Sequence, residues 1–145
     1  MEQRYQKSIL DAYTTANTAV AVNGLLPLEQ NNILTGCSIT HVAGSTTVSL
    51  VKPGQYLVAF NADGTTSGTA GNISVQLYNN GVAVPGAIST AEMDTTIDTG
   101  NVSFTKVISV KPSCCMIDNT ANLTFVNTGV ATLYTNINVN VIKLC

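Results

Sequence analysis

Alternation with a period of two dominates residues 53–86, PGQYLVAFNADGTTSGTAGNISVQLYNNGVAVPG. Tyr56, Val58 and Phe60 fall on one side of a first extended segment. Ile73, Val75 and Leu77 fall on one side of a second. Successive side chains of a strand point to opposite faces, so this pattern buries one face of a sheet. Asn80-Gly81 supplies the positive φ angles of a tight hairpin turn. The Gly-, Thr- and Ser-rich stretch 62–71 reads as a loop between the two strands.

The rest of the chain extends the same reading. Strands are expected over 18–22, 24–28, 37–42, 47–51, 55–61, 72–78, 82–84, 86–90, 102–110, 121–126 and 131–144. Pro27 marks an edge or a bend. Lys106 interrupts the apolar side of Val102, Phe104, Ile108 and Val110, which predicts a bulge or an exposed edge. The last strand is the longest, with Ile137, Val139 and Val141 on one side and Asn136, Asn138 and Asn140 on the other. An Asn row suits a solvated face, or a face packed against identical neighbours where amides pair. Many short strands with frequent turns predict an all-β protein, an antiparallel β-sandwich or barrel. Residues 1–17 form a separate N-terminal arm in this reading, and 18–145 the domain. The spacing Tyr5, Ile9, Ala12, Tyr13, Ala16 fits one face of a helix. The segment is either a frayed terminus or an arm that docks on a partner through Tyr5, Ile9 and Tyr13.

Composition narrows the function. Only 10% of the 145 residues are charged, against about 25% in ordinary soluble domains. The polar remainder, mostly Thr, Asn, Ser and Gln, can face water or a second subunit without the cost of burying a charge. Net charge is −2 and the six Lys and Arg are scattered, so a nucleic-acid backbone finds no basic stripe. No apolar run of about 18 residues predicts a membrane span. Residues 1–22 lack the apolar core of roughly 7–15 residues that marks a signal peptide, so cytoplasmic synthesis is expected.

Catalytic and metal chemistry finds little support. Cys37, Cys114, Cys115 and Cys145 show no zinc spacing. Free thiols are expected on synthesis, with Cys114 and Cys115 as half-buried thiols. Cys37 and Cys145 would meet at one end of the sheet, and could bridge in an oxidising medium, if the strand starting at Cys37 ran antiparallel to the last strand. His41 is the only histidine and reads as a surface or interface residue. The acidic loop of Glu92, Asp94 and Asp98 lacks an EF-hand pattern and reads as solvated. No catalytic residue, cofactor or metal site is expected, and the chain reads as a non-enzyme.

The order PGQYLVAFNA, NISVQLYNNGVAVPGA, NVSFTKVISV and ANLTFVNTGVATLYTNINVNVIKL resembles the compact jelly roll of the tumour necrosis factor and complement type. Phage head-fibre and decoration proteins and the heads of spore-surface proteins are the nearest in pattern. The resemblance covers residues 18–145. It implies a jelly-roll homotrimer with Tyr56, Phe60, Tyr134, Asn136, Asn138 and Asn140 as interface candidates, Tyr56 and Phe60 lying either in the sandwich core or on the trimer axis. It further implies a structural virion protein, made in a bacterial host and displayed on the virion surface. In that reading the arm grips a major capsid protein or another virion protein. The alternative is a receptor- or glycan-binding head of a fibre or spore-surface protein, with a host-surface glycan as partner. Its site would lie in the loops 61–71 and 91–100, with Tyr78 and Tyr134 as stacking residues.

Overall fold

The computed structural model describes residues 6–66, 70–93, 99–113 and 118–145. Among them the chain forms two antiparallel sheets. The strands in chain order are β1 (Ile9–Thr14), β2 (Thr18–Val20), β3 (Gln30–Thr35), β4 (Ile39–Thr40), β5 (Val48–Leu50), β6 (Gly54–Thr66), β7 (Gly71–Asn79), β8 (Val82–Met93), β9 (Thr99–Val110), β10 (Ala121–Asn127) and β11 (Thr132–Lys143). The 6-stranded sheet runs β3-β1-β11-β6-β9, with β2 paired to β11, and the 5-stranded sheet runs β4-β5-β10-β7-β8. Successive strands change sheet between β3 and β4, β5 and β6, β6 and β7, β8 and β9, β9 and β10, and β10 and β11. This is the jelly-roll sandwich expected from the sequence.

The alternation in the sequence is the burial pattern in space. Tyr56, Val58, Phe60, Ile73, Val75, Leu77, Ile137, Val139 and Val141 all lie in the core between the sheets. Phe60 of the larger sheet stacks on Phe125 of the smaller at 5.1 Å between ring centroids, and Phe104 stacks on Phe60 at 5.1 Å. Asn80 (φ 51°) and Gly81 (φ 80°) form the two-residue turn, closed by the Asn79–Val82 pair.

Polar anchors fasten the ends of the sandwich. Asn127 is fully buried. Its Nδ2 donates to the carbonyls of Val20 (3.1 Å), Ala21 (3.2 Å) and Val130 (3.0 Å). Its Oδ1 accepts from the Gly129 amide (3.2 Å) and the Tyr134 hydroxyl (2.9 Å). One side chain thus ties β2, the turn after β10 and β11 together.

Several expectations are corrected. Residues 9–14 are not a helix or an arm: β1 lies inside the larger sheet, paired with β11 on one side and β3 on the other. Leu10 and Ala12 face the core and are fully buried, while Ile9 and Tyr13 face outward. The boundary at residue 17 therefore does not divide an arm from the domain. Tyr5 lies outside the described residues. The expected loop 62–71 is strand as far as Thr66, and β8 is one strand to Met93 where two pieces and a loop were expected. β9 pairs with β6 without a register shift, so Lys106 marks an exposed edge and not a bulge.

Two predictions follow from this packing. Deleting residues 1–16 should abolish cooperative unfolding of the jelly roll, read by calorimetry, because β11 and β3 lose the strand between them. The second concerns alkaline pH. Burial pushes the Tyr134 phenol up to about 12, partly offset by its contact with the Thr132 side chain. Burial likewise raises Tyr56, against the lowering effect of hydrogen bonds that include the one to the Lys52 carbonyl. The folded state favours the neutral phenol, so its contribution is fully present below the unfolded value near 10. It is lost as pH rises from about 10 through about 12. Urea melts across that window should show falling stability. Tyr134→Phe should flatten the fall while costing about 1 kcal/mol at neutral pH for the lost Asn127 bond.

Candidate interaction surfaces

The larger sheet presents an outer face of unusual composition. Strand register places Ile9 beside Ile142, Ile142 beside Leu57 and Leu57 beside Val107. An apolar row thus crosses four strands, and Val107 at its end is 50% exposed. The next row is Asp11, Asn140, Ala59 and Thr105, and the next Tyr13, Asn138, Asn61 and Ser103. No Lys or Arg occupies any of these positions.

Side-chain amides hold the carboxylates of this face. Asn138 Nδ2 donates to Asp11 Oδ1 at 2.8 Å, and Asn32 Nδ2 to Asp11 Oδ2 at 2.9 Å. Asn140 Nδ2 donates to Asn138 Oδ1 at 2.7 Å. Farther along, Asn101 Nδ2 donates to Asn61 Oδ1 and Asp63 Oδ1, both at 2.8 Å. Fixed amides in this arrangement orient the face without mobile charged side chains. Hydrogen bonds to carboxylates are also the stronger class.

The interface residues expected from sequence divide into two groups. Asn138 and Asn140 lie on this outer face. Asn136 is exposed at a positive φ of 52°, where the register between β11 and β6 shifts. Tyr56, Phe60 and Tyr134 do not join them. Tyr56 and Tyr134 are fully buried inside one chain, and the Tyr56 hydroxyl donates to the Lys52 carbonyl at 2.6 Å. Their strand parity points them between the sheets, so they cannot line a subunit interface. Ile9, Leu57, Val107 and Ile142 lie on the outer face instead. The signal for them is the opposite parity of the same strands, Leu57 beside Tyr56 and Val58.

Cys37 and Cys145 are both free and exposed. The strand expected over 37–42 is only Ile39–Thr40 and lies in the other sheet from β11, and Cys37 sits in the bend between β3 and β4. That bend still brings it to the C-terminal end of β11. Both thiols line one cleft of about 500 Å³ together with Lys7, Lys52 and Lys143. Lys143 Nζ donates to Ser38 Oγ at 3.4 Å. Cys114 and Cys115 lie outside the described residues.

His41 is not a surface residue. It is 6% exposed, and its ring is held at both nitrogens, Nδ1 against Asn31 Oδ1 (2.5 Å) and Nε2 against the Ser45 carbonyl (3.0 Å). It fastens β3 to the loop before β5. Asp94 and Asp98 lie outside the described residues; Glu92 is exposed on β8. Among the described residues no group of three His, Cys, Asp or Glu side chains is placed to hold a metal. No described helix is long and apolar enough to cross a membrane.

The smaller sheet carries a groove on its outer face. Tyr78 of β7 and Thr124 of β10 are cross-strand partners and form its floor. Above them the chain at Leu25 bridges to Val126. Asn23, Leu25, Asn80 and Asn122 rim a cavity of about 610 Å³.

Comparison with known proteins places the fold. No protein-family model and no curated protein sequence matches the chain. Solved structures do. The globular domain of zebrafish complement 1qA is similar over 96% of this chain and 98% of its own, with a TM-score of 0.66 and 10% identity. Murine APRIL is similar over 95% and 99%, with a TM-score of 0.63 and 13% identity. PRD1 vertex protein P5 is similar over 96% and 98%, with a TM-score of 0.58 and 14% identity. The chain has the jelly-roll fold of the tumour necrosis factor and complement type.

The shared cleft generates a redox prediction. Oxidised glutathione should join Cys37 to Cys145 by thiol–disulfide exchange, releasing glutathione as the thiol, with the bridge detected by peptide mapping under non-reducing conditions. Full alkylation of both residues after that treatment would exclude the bridge.

Proposed function

We propose that three copies of the chain pack through the outer face of the larger sheet to form a compact head on a virion surface. The observation that carries this reading is the apolar row Ile9, Ile142, Leu57 and Val107, flanked by the amide-bound Asp11. A contiguous apolar strip with a polar border, whose one carboxylate is held by side-chain amides, has the anatomy of a subunit interface. Leaving it in water would expose apolar surface at roughly 25 cal/mol per Å². The fold shared with PRD1 vertex protein P5 supports a structural role on a virion. With β1 inside the sheet, Ile9 and Tyr13 belong to the subunit contact and not to a capsid grip. Attachment to a capsid protein then falls to the residues ahead of Ser8.

Mass measurement in solution tests the assembly. The native chain should run as a trimer, and Leu57→Lys should yield a folded monomer with an unchanged β-sheet spectrum, since Leu57 does not face the core. A native monomer would overturn the reading. Attachment is tested separately. Deleting residues 2–6 should leave the trimer intact and prevent its recovery with purified capsids.

A further inference from the structure

We propose that the groove on the outer face of the smaller sheet binds an uncharged saccharide. Its lining combines the Tyr78 ring and the apolar Leu25 and Val126 with the amides of Asn23, Asn80 and Asn122. No charged side chain contributes to it. A phosphate, sulfate or carboxylate would meet no cation there, and a basic peptide no carboxylate. A wholly apolar ligand would leave the amides unpaired, which is costly. A neutral sugar matches both halves of the lining. Its C–H face packs on an aromatic ring, and its hydroxyls both donate to and accept from amides.

The groove is also held in shape. Asn80 Oδ1 accepts from the Asn122 backbone N–H at 2.9 Å, and Asn80 Nδ2 donates to the Thr120 carbonyl at 3.1 Å. Asn122 Oδ1 accepts from Ser49 Oγ at 2.7 Å. The first two bonds fix the Asn80 side chain, and the Ser49 bond occupies Asn122 Oδ1, so the Asn122 Nδ2 hydrogens are the donors offered to a ligand. Tyr78 is half-buried, so its ring is presented at little cost in side-chain entropy. The volume of about 610 Å³ falls within the range of roughly 300–1,000 Å³ typical of small-ligand sites. The site lies on the sheet opposite the proposed trimer contact, so it stays open in the assembly and does not depend on it.

The test uses the full chain on an array of uncharged oligosaccharides of glucose, galactose, mannose, rhamnose and N-acetylglucosamine, beside sialylated and sulfated ones. Saturable binding to uncharged members is expected. Tyr78→Ala should weaken the best of them by about tenfold or more, and Tyr78→Phe should largely preserve it because stacking survives. Leu25→Arg changes an exposed rim residue, should leave the melting temperature in place and should also weaken binding; it decides the matter if Tyr78→Ala does not fold. The proposal is overturned by an array blank for uncharged glycans, by binding only of acidic glycans or of a protein, or by binding that survives both Tyr78→Ala and Leu25→Arg.

Discussion

The stack of Phe60 on Phe125 is the contact on which the sandwich depends. Within each sheet the backbone supplies the hydrogen bonds. Between the sheets only side chains can act, and these two rings meet at 5.1 Å across the middle of the core. Phe104 extends the cluster from the edge strand β9. Aromatic pairs in this arrangement contribute beyond their buried area. The fully buried Tyr56 and Tyr134 continue the aromatic filling of the core. Each hydroxyl reaches a hydrogen-bond acceptor, the Lys52 carbonyl and Asn127 Oδ1. Buried phenols without such partners would cost stability. The core therefore explains why these aromatics are unavailable for contacts outside the chain.

Asn127 shows how a sandwich of mostly long strands closes where hydrogen-bonded ladders end. Five bonds from one amide satisfy carbonyls of β2 and of the turn after β10 and receive the Tyr134 hydroxyl. A buried polar group satisfied at every position specifies one arrangement of its neighbours, because a partly satisfied one is penalised. Gly129 completes the turn by lying against the Asn72 carbonyl, where a Cβ would not fit. Together they set where β11 begins, and β11 is the strand that β1, β2 and β6 all pair with.

The sequence was legible where one face of a strand is buried and the other is not. Tyr56, Val58 and Phe60, the Asn80-Gly81 turn, and Ile137, Val139 and Val141 gave the fold class and much of the core by parity alone. Legibility failed for β1. Its inward residues Leu10, Ala12 and Thr14 include only one large apolar side chain, while Ile9 and Tyr13, four apart, imitate a helical stripe. It failed for β3, QNNILT, whose residues are exposed or half-buried with no alternation. It also failed for β8, where Pro85 and Gly86 (φ 82°) suggested a break; β8 is an edge strand, where a proline can be tolerated. Which face a side chain occupies depends on parity and register, and these put Tyr56, Phe60 and Tyr134 between the sheets, not on an outer face. His41 could not be placed from sequence, because one ring nitrogen meets Asn31 on β3 and the other a backbone carbonyl, that of Ser45, which leaves no mark in the residue pattern.

The scarcity of charge acquires a structural meaning once the two outer faces are compared. A solvated sheet face ordinarily carries Lys and Glu, whose mobile heads resist association. Here the larger sheet replaces them with amides fixed to Asp11 and Asp63, and sets an apolar row beside them. The smaller sheet replaces them with a groove of amides around Tyr78. Fixed amides can be desolvated at a fraction of the cost of ions and still discriminate through directional hydrogen bonds. Such a choice suits a face to contact with a second copy or with an uncharged ligand. Three of the six cations are meanwhile confined to the cleft with Cys37 and Cys145. The same low charge that leaves the sequence without recognisable catalytic chemistry is thus what makes both faces of the sandwich suited to contact.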